Sequence, residues 1–325
     1  MKIIRWLFDK SPQKIKRVSI KAVYLKKLLT LKGPRIIFIE PTNYCNYKCT
    51  ICPITSMKRK KGFMNLDLFK KIVDEASNIG IKRINLQMYG EPLLHPKLLE
   101  MIRYAKSKKS FEVWFDTNVY LLDEKKIKEI IDSCPDGIIF SFHGPTKEIY
   151  KKIHSVDGFE KSIKNIKRFK EIRDSLKLKK PKMVLQSTRT DLSIGKMDYI
   201  FKIFNGFVDE INITDCDWCC GYSKEIHSLI KPMKRTTPCF NILGTLAIFW
   251  DGTVTACCVD FDGFLKIGNI KDNSLTELWK GKKLQNYRKL HLKGKFNEMP
   301  LCENCKDIMA LSEINKKFPF KISKK

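Results

Sequence analysis

Short apolar runs alternating with amphipathic stretches constrain this chain more than any other feature. Six such runs, rich in Ile, Val and Phe, lie at 35–40, 83–89, 111–117, 137–142, 182–188 and 210–214. Between them, helix-like periodicity covers 65–78, 96–108, 123–132, 146–174 and 193–204. Strand-length apolar runs separated by helices imply parallel β–α units. Six units in roughly 180 residues predict an α/β fold built as a partial (β/α)6 barrel, with its chemistry on loops at the C-terminal ends of the strands.

After residue 215 the pattern changes. Apolar stretches at 242–250 and 253–258 flank Asp251-Gly252, a turn dipeptide whose two residues both tolerate positive φ. A helix-like stretch follows over 274–290, and then Cys302 and Cys305. This reads as a small α+β appendage with a thin core, the kind of module that needs a metal to hold it. Three parts are therefore expected: an arm over 1–33, a core over 34–215 and an appended domain over 216–325.

The arm carries ten Lys and Arg against one acid, Asp9. It reads either as a basic amphipathic segment making peripheral contact with an anionic membrane surface, or as a cap over the barrel mouth with solvated lysines; the cap is preferred. No run of eighteen apolar residues is present, so no spanning helix is expected. Lys2 and Arg5 are followed by neither a long apolar region nor a small-residue cleavage site, which argues against a secretory signal. A cytoplasmic location follows, and the twelve cysteines are expected as thiols or metal ligands. Sixty-three Lys and Arg against thirty-five Asp and Glu leave a net charge of +28. That balance suits a phosphorylated substrate or a polyanion, but a general Lys bias produces the same number. A metal-stabilised nucleic-acid binder is the competing class it suggests; no nucleic acid is expected.

The cysteines fall into two sets. Cys45, Cys49 and Cys52 lie on the loop directly after the first strand. Three thiolates within eight residues can hold three irons of a cubane cluster and leave the fourth open. A structural zinc site takes four ligands and starts from close knuckles, which suits this loop less well. The second set is Cys239, Cys257, Cys302 and Cys305.

The C-x3-C-x2-C loop, followed by Tyr89-Gly90-Glu91-Pro92 after the second strand, resembles the radical S-adenosylmethionine (SAM) enzymes. Glu40-Pro41-Thr42-Asn43, Leu93-Leu94-His95-Pro96 and Thr117-Asn118 strengthen the likeness. The resemblance implies that Cys45, Cys49 and Cys52 ligate a [4Fe–4S] cluster whose open iron is chelated by SAM. It implies that Ile51 packs on the adenine and that Gly90 and Glu91 match a Gly-Gly-Glu segment binding the SAM amino group, with Tyr89 in place of the first glycine. Asn118, Ser141 and Ser187, at the ends of the third, fourth and fifth strands, are ribose or carboxylate contacts on this reading, or else ordinary polar strand ends.

The second set, spaced C-x12-G-x4-C before a later C-x2-C, resembles the SPASM accessory domain or its smaller twitch form. Trp250-Asp251-Gly252-Thr253-Val254 and Gly268-Asn269-Ile270 are also similar to it. No Cys follows Cys305, which implies one auxiliary [4Fe–4S] cluster, with a zinc ribbon as the alternative. Cys134 is assigned to packing, while Cys216, Cys219, Cys220 and Cys258 receive no role. His143 is read either as a substrate-binding or proton-transferring residue or, preferably, as an ordinary loop histidine.

The resemblance implies an oxidoreductase. SAM cleavage at the first cluster yields a 5′-deoxyadenosyl radical that takes hydrogen from substrate, and the auxiliary cluster accepts an electron. A reducing donor such as flavodoxin or ferredoxin is implied. The substrate is expected to be a small molecule or carrier-linked group, with a peptide, and hence a peptide maturase, as the rival.

Overall fold

The computed structural model describes residues 13–30, 32–216, 235–303 and 305, with side chains from residue 21 onward. The first part of the arm and Cys219 and Cys220 lie outside the described residues.

All six expected strands form, and they pair in chain order. They are β1 (Ile36–Ile39), β2 (Arg83–Leu86), β3 (Glu112–Thr117), β4 (Gly137–Ser141), β5 (Lys182–Arg189) and β6 (Glu210–Asp215). Every pairing among them is parallel. Side chains alternate between faces with period two. One face carries Ile37, Ile39, Ile84, Leu86, Val113, Phe115, Ile138, Phe140, Met183 and Leu185, all fully buried.

Helices α2 (Leu66–Asn78), α3 (Leu98–Ser107) and α4 (Glu124–Asp132) fall where periodicity predicts them. Their starts are built into the sequence. The Asn65 side chain accepts from the N–H groups of Asp67 and Leu68, and the Asp123 side chain accepts from that of Lys126. On α2, Phe69, Ile72, Val73 and Ala76 form the buried stripe. The predicted helix over 146–174 is instead two, α5 (Lys147–His154) and α6 (Phe159–Ser175). Ser155 closes α5 in the left-handed conformation, with φ 57°, a break that hydrophobic periodicity does not register. A shorter helix, α7 (Asp198–Phe204), precedes β6.

The C-terminal region continues the same sheet. Strand β7 (Thr245–Ile248) runs parallel to β1, and β8 (Thr253–Thr255) and β9 (Lys266–Asn269) add antiparallel strands. The result is one nine-stranded sheet in the order β6-β5-β4-β3-β2-β1-β7-β8-β9. The β7–β8 turn differs from the two-residue hairpin expected. The Gly252 N–H donates to the Phe249 carbonyl, and among the turn residues only Gly252 has positive φ, at 89°. That geometry is a four-residue turn closed by a left-handed glycine. The stretch over 274–290 is also two helices, α8 (Leu275–Lys280) and α9 (Lys282–Lys293), with Gly281 between them in an extended conformation. A single turn, α10 (Pro300–Glu303), leads to Cys305.

Helix α1 (Gln13–Thr30) packs on α9. Its fully buried Tyr24 donates to the Arg288 carbonyl at 3.3 Å, with its ring 6.0 Å from that of Phe240. None of the described helices is long and apolar enough to cross a membrane.

Candidate functional site

The loop after β1 is held in place before any cofactor is considered. The Asn43 side chain accepts from the Gly62 N–H and donates to the Lys60 carbonyl, while the Cys52 N–H donates to the Cys49 carbonyl. The Thr50 N–H donates to the Ile153 carbonyl, anchoring the loop to the last turn of α5. Cys45, Cys49, Ile51 and Cys52 then line one cavity together with Gly90, Glu91, Asn118, Ser141 and His143. That cavity brings together nearly all the residues expected at the first site.

Ser187 is the exception. It is fully buried, its hydroxyl has no hydrogen-bond partner, and it is not among the residues lining the cavity. Its position on β5, two residues beyond Leu185 and four beyond Met183, places it on the packed face of the sheet. Its side chain therefore does not line this cavity.

Gly90 is required by a close approach. A Cβ there would lie 2.1 Å from the Thr42 carbonyl oxygen and 2.9 Å from the Asn43 Cα, so any side chain would push the two loops apart. Glu91 braces the site. One carboxylate oxygen accepts from the Leu93 N–H at 3.1 Å and the other from the Asn118 N–H at 2.7 Å. Burial pushes its carboxyl up to about 7 despite these bonds. The Asn118 amide donates to Asn46 at 2.8 Å and reaches Cys45 Sγ at 4.0 Å, so this residue positions the cysteine loop.

Sequence reasoning missed Asp116, Gln87 and His154, which all line the cavity. The signal for Asp116 was strand alternation: it faces opposite to Phe115 and Thr117. With its amide oriented to satisfy both ends, Gln87 donates to the Asp116 carboxylate. Burial, and then the neighbouring Glu91 charge, push the Asp116 carboxyl from an ordinary 3.8 up to about 8. Between those values the folded protein retains a proton that the unfolded chain has released. The stabilising preference is complete below pH 3.8 and is lost as the pH rises through about 8. Asp116→Asn is expected to flatten the fall in thermal stability between pH 6 and 8, as read by circular dichroism. A fall as steep as the parent's would contradict the assignment.

Burial raises all three first-set thiols, Cys45 to about 11, Cys52 to about 12 and Cys49 well above the ordinary value. Left alone they are neutral; held as thiolates they need a cationic partner of the kind iron supplies. The second set converges in the same way. Cys239, Cys257, Cys302 and Cys305 line a single cavity with Arg235 and His291, and burial pushes Cys302 up to about 12. The Arg235 guanidinium donates to Cys305 Sγ at 3.1 Å. Cys258 is not among the lining residues. Among the described residues, no three His, Cys, Asp or Glu side chains converge as on a single metal ion. Buried thiols gathered on one cavity wall are the ligand type that an iron–sulfur cluster takes. The buried Nε2 of His291, which has no partner and borders the second cavity, fits the same group as a donor to its sulfur.

Comparison with known proteins agrees with this geometry. Residues 39–178 match the radical SAM superfamily, and residues 239–306 match SPASM, an iron–sulfur cluster-binding domain. A tungsten-containing aldehyde ferredoxin oxidoreductase cofactor-modifying protein of Pyrococcus furiosus is 23% identical over 83% of this chain and 87% of its own length. An S-adenosyl-L-methionine-dependent 2-deoxy-scyllo-inosamine dehydrogenase of Niallia circulans is 23% identical over 86% of this chain and 95% of its own. Among solved structures, Streptococcus suis SuiB bound to its precursor peptide SuiA superposes with a TM-score of 0.66 at 15% identity, covering 87% of this chain and 74% of that one.

Proposed function

The chain belongs to the radical SAM superfamily and carries a SPASM domain, and we propose that it is an oxidoreductase acting on a small or carrier-linked substrate. The observation that carries this reading is the pairing of two thiol-lined cavities, one also lined by titratable groups and one closed by four cysteines. Cys45, Cys49 and Cys52 would hold the SAM-binding [4Fe–4S] cluster, and Cys239, Cys257, Cys302 and Cys305 an auxiliary one. Together these groups supply reductive cleavage of SAM, hydrogen-atom removal from substrate and uptake of the remaining electron.

This chain's own residues do the rest. Ile51 offers an apolar face for the adenine. Glu91 and Asn118 hold the loop geometry through the bonds described above. Asp116, with its carboxyl near 8, is mostly protonated at neutral pH, and its minor ionised form would take up the proton that a hydroxyl-bearing substrate loses as its carbon is oxidised. Of the described residues lining this cavity, Glu91 and Asp116 are the acids, and no Lys or Arg is among them. That lining favours a neutral or amine-bearing reacting end over an anionic one, whatever the net charge of the chain.

The dehydrogenase relative supports a small-molecule substrate. The fold shared with SuiB, which is bound to a precursor peptide, is what favours the second reading, a peptide maturase. Protein reconstituted without oxygen and reduced with dithionite is expected to release 5′-deoxyadenosine from SAM. It should contain about eight irons per chain, as two four-iron sites require. No 5′-deoxyadenosine would refute the reading. Supplied with polyol or amino-sugar alcohols, the oxidoreductase forms a ketone; activity on a precursor peptide alone would favour the maturase.

A further inference from the structure

Two histidines, one beside each thiol set, are held in the same way. His154 ends α5, and its Nδ1 lies 3.2 Å from Cys49 Sγ. Its other nitrogen, Nε2, accepts the main-chain N–H of His143 at 3.0 Å. A nitrogen that accepts from an amide must present its lone pair, so in the neutral ring the proton is on Nδ1. That proton faces sulfur. The ring is further fixed by packing against His143, at 5.2 Å and 12° between planes, and against Tyr47 and Tyr150.

His291 repeats the arrangement on α9 with the nitrogens exchanged. Its Nδ1 accepts the main-chain N–H of Cys239 at 3.1 Å, which leaves the proton on Nε2. Nε2 is buried without a partner, and the ring borders the cavity of Cys239, Cys257, Cys302 and Cys305. A buried N–H without an acceptor is costly and uncommon. Here the missing acceptor is whatever the four thiols hold. Neither ring can serve as a ligand through the nitrogen facing the sulfurs, because that nitrogen carries the proton.

We propose that His154 and His291 are positioning residues that set the reduction potentials of the two clusters, each donating one fixed N–H to sulfur. The inference rests on the reading of the seven cysteines as cluster ligands. Reduction adds negative charge that is shared with the sulfurs, and a hydrogen bond to sulfur stabilises the reduced form. Each histidine therefore raises the potential of its own cluster.

The test is a redox titration of the reconstituted holoenzyme followed by electron paramagnetic resonance, in which the signal that changes on adding SAM marks the SAM-binding cluster. His154→Ala is expected to lower the potential of that cluster alone, and His291→Ala that of the other alone. Each shift should equal about a tenfold change in the reduction equilibrium, roughly 59 mV for one electron. His154→Gln and His291→Gln, which keep an N–H donor, should recover part of each shift. In the parent, electron–nuclear double resonance after exchange into deuterium oxide should show an exchangeable proton near each cluster, a measurement that needs no variant to fold. Unmoved potentials at parent iron content overturn the proposal. So does a directly coordinated nitrogen, or the loss of about four irons from Ala and Gln variants alike, as a four-iron cluster losing a ligand would show. A parent that takes up no iron removes the underlying reading as well, so the two failures are distinguishable.

Discussion

Cys49→Ala is expected to reduce 5′-deoxyadenosine formation to background and to lower the iron content from about eight to about four per chain, as loss of one four-iron site requires. The first cavity offers three thiols to a cluster, and the fourth iron takes no protein ligand on the proposed reading. Removing one therefore leaves two thiols lining that cavity. His154 does not substitute, because the nitrogen facing Cys49 carries a proton. The auxiliary cavity, lined by four other cysteines, should keep its iron. Cys134→Ala is the matching control, since that thiol is exposed and outside both cavities. Iron quantification and chromatography of the nucleoside product read the result. Undiminished SAM cleavage by Cys49→Ala would remove the assignment of this loop.

Arg59→Ala is expected to destabilise the protein by about 3–5 kcal/mol, the range for stranding one partner of a buried ion pair. The Glu40 carboxylate is fully buried and bound at both oxygens by the Arg59 guanidinium, one contact being 2.6 Å. The same guanidinium donates through Nε to the Phe261 carbonyl at 2.6 Å and lies 4.0 Å from the centre of the Phe249 ring. The Trp250 N–H also donates to Glu40, and the Asp262 carboxylate accepts from the N–H groups of Lys58 and Arg59. One buried pair thus ties the end of β1 to the β7–β8 turn and to the loop beyond β8, across the two matched families. Without Arg59 the carboxylate must be protonated or hydrated inside the protein, and either route costs free energy. The double variant Glu40→Leu/Arg59→Met leaves no stranded charge and should lose less than the single variant. Urea denaturation monitored by Trp fluorescence checks both. A loss below about 1 kcal/mol for Arg59→Ala would place the pair among surface-like bridges.

Much of the fold is legible in the chain because it depends on local periodicity. Six apolar runs became six parallel strands, and the amphipathic stretches with Asn65 and Asp123 before them became capped helices. The errors share one origin. The break at Ser155, the break at Gly281 and the shape of the turn at Gly252 are single-residue backbone events, and an average over a hydrophobic period passes across them. The pairing of β7 with β1 is another matter. A parallel pairing between segments about two hundred residues apart has no local signature, since any exposed parallel edge can accept a suitable strand.

Within the site the division follows the same line. Spacing alone grouped Cys45 with Cys49 and Cys52, because residues three and four apart on one short loop are held close together. The resemblance, and not spacing, pointed to Gly90 and Glu91, which line the same cavity. The sequence by itself therefore determined the α/β architecture, the family and the two sets of thiols. Only the tertiary structure decided that Ser187 turns away from the cavity while Asp116 enters it, and that Gly90 is needed by the nearness of Thr42. It alone placed His154 and His291 beside the sulfurs, and Arg59 against Glu40. Periodicity and spacing are properties of neighbours along the chain. A buried charge, a proton held on one ring nitrogen and a carbonyl too close for a side chain all depend on neighbours in space, and these exist only once the sheet has formed.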